Sequence, residues 1–221
     1  MTRVLAVADE VVESLWSERV RALEPDLLVG CGDLPFDYLE YLVSTLNVPA
    51  VFVPGNHDAD VSGVRESRAG LPLRDGLPAG QVGPAGFSNA DRRIVDAAGV
   101  RLAGLGGSLR YRPGPNQYSQ RQFGRRARAL QRRASWRHWR DGRGVDVLLT
   151  HAPPAGVGDE EDPPHRGFTA LHGLVARLRP ALLLHGHIHP HGVPRPDRMM
   201  GDTKVCNVVG YRLIEIPDRQ E

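Results

Sequence analysis

The sequence predicts an α/β domain built from parallel βαβ units, and three observations carry that reading. Apolar runs of strand length alternate with stretches whose apolar residues recur at helical spacing. Five of those runs end in a carboxylate, an amide or an imidazole, as strands do when they deliver their C-terminal ends to one ligand-binding edge. No internal repeat or low-complexity linker divides the chain, so residues 1–221 read as one domain.

Taken in order, residues 3–8 form the first strand. Residues 12–23 place Val12, Leu15, Trp16, Val20 and Leu23 at helical spacing and predict a helix. Residues 26–30 give the next strand. A helix follows over 35–46, with Tyr38, Leu39, Leu42, Val43 and Leu46 on its buried face and Pro35 at its start. Residues 48–53 make a third strand, and 59–89, rich in Gly, Pro and Asp, read mainly as loop. Residues 93–97 and 100–104 predict a hairpin turned at Ala98-Gly99. A long helix covers 118–139, closed by Trp136, His138 and Trp139. Then come a strand at 145–149, a helix at 168–178, a strand at 181–184, and a closing hairpin of 204–208 with 211–216.

Hydrophobic residues make up 41% and charged residues 24% of the chain, the balance of a soluble globular protein. No run is long enough to span a bilayer. The N-terminal apolar run carries one Arg and breaks at Asp9, unlike a secretory signal. Cys31 and Cys206 lie in strand-like runs, where buried free thiols are expected ahead of a disulfide, and a cytoplasmic location follows. The formal net charge of +2 hides a strong asymmetry, because between Arg110 and Arg143 eleven arginines stand against the single acid Asp141. Phe123, Ala127, Leu130 and Ala134 give that arginine-rich helix one packing face. Its other faces are either simply solvated or an electrostatic surface for a nucleotide or nucleic acid, without base specificity.

The chemistry gathers at the strand ends. Residues 3–8 end at Asp9, 27–32 end at Asp33, and 51–55 run into Asn56-His57-Asp58. Residues 145–150 end at His151, and 182–184 run into His185-Gly186-His187-Ile188-His189. Hard oxygen donors mixed with imidazoles, with no thiolate, suit divalent Mn, Fe, Zn or similar ions better than Ca. A carboxylate bridging two such ions is the arrangement used for phosphate-ester cleavage, in which the ions clamp phosphoryl oxygens and acidify a water.

In this arrangement the sequence resembles the calcineurin-like metallophosphoesterases. Gly32-Asp33, Gly55-Asn56-His57-Asp58, Thr150-His151 and Gly186-His187-Ile188-His189, after a strand ending in Asp9, carry the resemblance over residues 3–216. It implies a four-layer αββα sandwich of two mixed β-sheets flanked by helices, and two divalent ions. Asp33 would bridge them, Asn56, His151 and His187 would complete one site, and Asp9 and His189 would belong to the other. His57 would lie beside the leaving group, oriented by Asp58. A phosphodiester is the expected substrate, hydrolysed by metal-activated hydroxide. A phosphomonoesterase, a nuclease, or a non-catalytic scaffold of the same fold are the alternatives.

The departure lies in the first motif, where the family's Asp-x-His reads Asp9-Glu10-Val11. Adjacent side chains at a strand end point to opposite faces, so Glu10 is a poor substitute and the second ion is expected to be held more weakly. His185 is read as a core or supporting residue and His191 as exposed. The charged loop 156–167 reads first as simply solvated, and otherwise Asp159 or His165 would shape the pocket or supply the absent ligand. Gly104-Leu-Gly-Gly-Ser108 reads as a tight turn that brings Ser108 and Arg110 near the crevice, and Arg110 is the candidate substrate-phosphate contact.

Overall fold

Three apolar strands open the chain, with one α-helix between the second and the third. The structure, a computed structural model, describes residues 1–60, 63–66, 72–74, 76–79, 82–190, 192 and 195–216, so His191 lies outside the described residues. The chain begins with β1 (Thr2–Ala8), β2 (Leu27–Gly30), α1 (Phe36–Leu46) and β3 (Ala50–Phe52). The short β4 (Val64–Glu66), β5 (Pro72–Arg74), β6 (Leu77–Pro78) and β7 (Phe87–Asn89) follow. Next come β8 (Ile94–Ala97), β9 (Val100–Leu105), β10 (Ser108–Leu109), β11 (Gln117–Tyr118) and the long α2 (Gln120–Asp141). The chain continues through β12 (Val147–Thr150), α3 (Ala170–Leu178), β13 (Leu182–His185), β14 (Arg198–Met200), β15 (Thr203–Asn207) and β16 (Gly210–Ile216).

Two mixed sheets form the body. One has the order β16-β1-β2-β3-β7 and the other β14-β15-β13-β12-β9-β8. Among the described residues, only β16 runs antiparallel in the first, and β8 and β14 in the second. The sheets pack face to face through alternate residues: Val4, Ala6, Leu27, Val29 and Val51 meet Val100, Leu102, Val147, Leu149, Leu182 and Leu184. The intervening residues point outward. Leu5, Val7 and Leu28 pack under Tyr38, Leu39 and Leu42 of α1. Ala103, Leu148 and Leu183 pack under Phe123, Ala127 and Leu130 of α2 and Leu171 and Leu174 of α3. Because each central strand is covered on both sides, its sequence is apolar without alternation. The result is the expected αββα sandwich, with the central parallel strands delivering their C-terminal ends to one rim.

α2 starts with a capping box, in which the Ser119 side chain accepts from Gln122 N and the Gln122 side chain accepts from Ser119 N, and it ends at Gly142 in the left-handed region. Its C-terminal turns are fixed by Arg101, which is 2% exposed. The guanidinium donates to Asp96 at 2.7 Å and to both oxygens of Asp141 at 2.8 and 2.9 Å, tying the helix to the β8–β9 hairpin. Among the described residues no helix is long and apolar enough to cross a membrane. Cys31 and Cys206 are buried and free.

Three expectations are corrected. Residues 12–23 form no α-helix: a 3₁₀ turn covers Glu18–Leu23, because Ser17 is extended (φ −157°) with its hydroxyl bonded back to Ser14 O. Trp16, one of the residues at helical spacing, is 43% exposed and lies against Tyr38 and Tyr41. Within 59–89 the structure shows a small three-stranded sheet, β4-β5-β6, and the edge strand β7. The last two strands do not form a hairpin. β15 pairs with β13 and β14, whereas β16 crosses to the other sheet and pairs with β1. The backbone passes between the sheets at Val208-Val209, and Val208 is buried between them.

Candidate metal centre

Four side chains from four strand ends meet at the rim. Asp9 follows β1, Asp33 follows β2, His151 follows β12 and His187 follows β13, and one ligand atom from each lies within 4.8 Å of all the others. The backbone that aims them is unusual. Asp9, Asp33 and His187 have φ of 59°, 57° and 69°, in the left-handed region that non-glycine residues enter at an energetic cost. Two of them sit at the centre of γ-turns. Glu10 N donates to Ala8 O across Asp9 at 2.6 Å, and Ile188 N donates to Gly186 O across His187 at 2.9 Å. The turns face each other, since His187 N donates to Asp9 Oδ2 at 2.8 Å.

Glycines make room for this approach. A methyl on Gly186 would fall inside the Asp9 carboxylate, and one on Gly55 inside that of Asp33. The two glycines read in the sequence only as neighbours of ligands are thus the floor on which the carboxylates rest.

The donor set fits a cation. His151 Nδ1 lies 2.8 Å from the Cys31 carbonyl, an acceptor, so Nδ1 carries the proton and Nε2 presents its lone pair. That lone pair faces Asn56 Oδ1 at 3.0 Å and Asp33 Oδ2 at 3.2 Å. Three acceptors converge on one point, while the Asn56 amide nitrogen is buried with no partner among the described residues. Such a set requires a positive charge among its members, a proton or a metal ion. His187 repeats the pattern: its Nε2 lies 2.8 Å from Pro164 O, which places the proton there and leaves the lone pair on Nδ1. Asp33 turns one oxygen to His151, and the other accepts from His57 N at 2.7 Å, the posture of a carboxylate that serves two sides.

Electrostatics report the same demand. Burial opposes charge on His151, yet Asp33 and Asp9 hold its pKa up at about 10. Burial pushes Asp9 up to about 6, partly offset by His151 and the His187 N–H. Asp33 is also buried, but His151 overrides that and brings it down to about 2. Burial, with the neighbouring His151, lowers His187 to about 3.

The remaining candidates sit around this core. His189 pairs with Glu10 (Nδ1 to Oε1 2.9 Å), so Glu10 reaches the rim despite strand alternation, because the γ-turn at Asp9 breaks the alternation. Val11, beyond the turn, is 37% exposed. His57 is exposed at the edge, and the guanidinium that reaches its Nδ1, at 3.4 Å, belongs to Arg112. Arg110 turns instead to Gln117 O at 3.1 Å. Asp58 holds backbone rather than the His57 ring, accepting from Gly55 N at 2.7 Å and Asp33 N at 3.1 Å. Ser108 is buried, and Asp159 accepts from Gly156 N and Gly167 N, shaping the loop without reaching the four-residue group. His165 is closer, with its ring 5.4 Å from that of His187, and it groups with Glu160 and Asp162. His185 is buried, donating from Nδ1 to Gly186 O, as a supporting residue should. Arg112 and the Pro164 carbonyl had no signal in the sequence, since both come from irregular loops whose path only the fold determines.

The sequence profile of the calcineurin-like phosphoesterases matches residues 5–191. No curated protein matches significantly. One solved crystal structure is similar over 96% of this chain and 94% of its own, with a TM-score of 0.60 at 17% identity. A second is the crystal structure of TT1561 of Thermus thermophilus, with a TM-score of 0.56 at 18% identity over 92% of this chain and 87% of that one. At these identities the likeness shows the shared fold.

Proposed function

The chain belongs to the calcineurin-like phosphoesterases, and from that premise we propose that this metal-dependent phosphoesterase cleaves phosphodiesters of the nucleotide or nucleic-acid type. The convergence of Asp9, Asp33, His151 and His187 at one rim carries the reading. Asp33 would be shared between two divalent ions such as Mn, with Asn56, His151 and His187 completing one site and Asp9 and His189 serving the other. When bound, the ions withdraw charge from the phosphoryl oxygens and acidify an attacking water.

The protein's own groups do the rest. Arg112 donates to His57 Nδ1, which leaves the proton on Nε2 of this exposed ring, available to a leaving alkoxide. The same guanidinium supplies positive charge to a non-bridging phosphate oxygen. Arg110, anchored to Gln117 O, adds a second cation to this loop. A diester is favoured over a monoester because the doubly charged monoester needs two tightly held ions, and the Val11 position contributes no ligand to one of them.

The arginine-rich helix supports a polyanionic substrate. Its arginines divide into two groups. Arg126 pairs with Asp91 at 2.6 Å, Arg133 caps Arg92 O, and Arg137 pairs with Asp96, so these three anchor α2 to the body. Arg121, Arg125, Arg128 and Arg132 are exposed and recur at steps of three and four on the side opposite Phe123, Ala127, Leu130 and Ala134. Trp136 and Trp139, 55% and 82% exposed, continue the same ridge. At ~1.5 Å per residue this ridge runs roughly 27 Å from Arg121 to Trp139. Its N-terminal end adjoins the centre, because Gln120 bonds Gly167 and Thr169 on the loop whose Pro164 holds His187. Arginines spaced along a ridge with terminal aromatics suit a single strand's phosphates and bases. The two buried free thiols fit work in the cytoplasm.

The test is hydrolysis of a chromogenic diester and the matching monoester with added Mn, for wild type, Asp33→Ala and His57→Ala. The expected result is diester cleavage that Asp33→Ala abolishes and His57→Ala lowers at least tenfold. Cleavage of the monoester alone would overturn the diester reading. No cleavage in any divalent ion would favour the scaffold.

A further inference from the structure

Strand alternation turns Glu10 away from the rim, yet the folded chain brings it to His189. The γ-turn at Asp9 reverses the chain within one residue, and the γ-turn at His187 does the same on the facing loop, so residues just past each turn come together. Glu10 Oε1 and His189 Nδ1 then meet at 2.9 Å. We propose that Glu10 is a positioning residue of the second ion site: its carboxylate fixes the His189 proton on Nδ1 and leaves the Nε2 lone pair for the ion. This rests on the dinuclear reading above and deepens it, since it says how a site without a donor at Val11 keeps His189 in service.

The physical argument is one of ligand preparation. A free imidazole divides its proton between two nitrogens and its ring among several rotamers, and only one combination presents a lone pair to the ion. The two imidazoles of the converging group are each fixed by an acceptor on the nitrogen away from the cluster: Cys31 O for His151 and Pro164 O for His187. For His189 the acceptor on Nδ1 is the Glu10 carboxylate. A carboxylate makes the imidazole a stronger donor than a carbonyl does, and it adds negative charge close to the ion. At a site short of one protein ligand both effects act in the needed direction. The bland alternative is a half-exposed surface ion pair with no bearing on the ion, since such pairs contribute little by themselves.

The experiment combines Mn titration by calorimetry with long-range ¹H–¹⁵N spectra of the histidine rings, on wild type, Glu10→Gln, Glu10→Ala and Asp33→Asn. The expected result is a first-ion affinity unchanged by either Glu10 substitution. The second ion should bind about 10- to 100-fold more weakly in Glu10→Ala, with partial recovery in Glu10→Gln, whose amide oxygen still accepts from Nδ1. The His189 ring should show the Nδ1–H form in wild type and a mixture in Glu10→Ala. Wild-type second-ion affinity in Glu10→Ala, or an unchanged His189 form, would overturn the proposal. So would equal damage in Glu10→Gln and Glu10→Ala, which would make the charge rather than the hydrogen bond the active element. If Asp33→Asn binds both ions normally, the metal-centre reading fails instead, so the two failures are separable.

Discussion

His151 offers the sharpest test of the idea that the rim was built for a cation. With no metal bound, its proton is the cation that keeps Asp33, Asn56 and the imidazole together, and its pKa stands at about 10 against an ordinary 6.5. A histidine whose folded pKa is raised contributes stability that is complete below the unfolded value and is lost as pH climbs through the folded one. The window is therefore pH 6.5 to 10. Asp9, Asp33, His185 and His187 have nearly finished titrating in both states by about pH 7.5, and the Cys31 and Cys206 thiols, which burial raises above their ordinary 9, add a loss of the same sign that grows mainly above pH 8.5, so His151 dominates between pH 7 and 8.5. At about 1.36 kcal/mol per pH unit, the metal-free protein should lose about 2 kcal/mol between pH 7 and 8.5. Metal must displace that same proton, so its apparent affinity should rise about tenfold per pH unit over the same range. Urea unfolding with EDTA and with saturating Mn, together with calorimetric Kd values at pH 7, 7.75 and 8.5, would measure both. Stability that is flat with pH in EDTA, or a Kd independent of pH, would refute the reasoning, because either would mean that no proton stands where the ion should be.

Further predictions concern single residues. Gly186→Ala places a methyl inside the Asp9 carboxylate, so the variant should be less stable by about 1–3 kcal/mol in urea unfolding and bind the second ion more weakly. Arg101→Met removes the buried guanidinium and leaves Asp96 and Asp141 sharing Arg137, and should lower unfolding free energy by about 2 kcal/mol, less than a fully buried pair because both acids keep part of their water. Arg112→Ala should reduce kcat on a diester about tenfold with metal content unchanged, measured by steady-state kinetics beside elemental analysis. Replacing Arg121, Arg125, Arg128 and Arg132 by Ala should raise KM for an oligonucleotide and flatten its salt dependence, while KM for a small chromogenic diester stays the same.

What is legible in a sequence depends on which interactions decide each feature. The sheet core was legible because central strands such as β12 and β13 are apolar on both faces, and that pattern survives in one dimension. The convergence of Asp9, Asp33, His151 and His187 was legible because they follow strand ends in short, specific motifs. What failed was decided by local chemistry or by distant pairing. Residues 12–23 have helical periodicity but an extended Ser17, and a hydroxyl bonding its own backbone outweighed the apolar stripe. The final two strands look like a hairpin, and only the competition between β1 and β15 for the edge of β16 sends them to different sheets. Glu10 was set aside by the alternation rule, which holds for extended strands and not past a residue with φ of 59°. Arg112 and Arg110 are two residues apart on one loop, and nothing in their identities says which of them turns toward His57.

The account stands or falls on whether a cation sits among the strand-end side chains. Anomalous diffraction from a crystal soaked in Mn measures this directly. A peak within about 2.0–2.3 Å of Asp33 Oδ2, Asn56 Oδ1, His151 Nε2 and a His187 ring nitrogen is the predicted result. Well-ordered side chains at those four positions with no peak between them, at saturating Mn and pH 8, would contradict it.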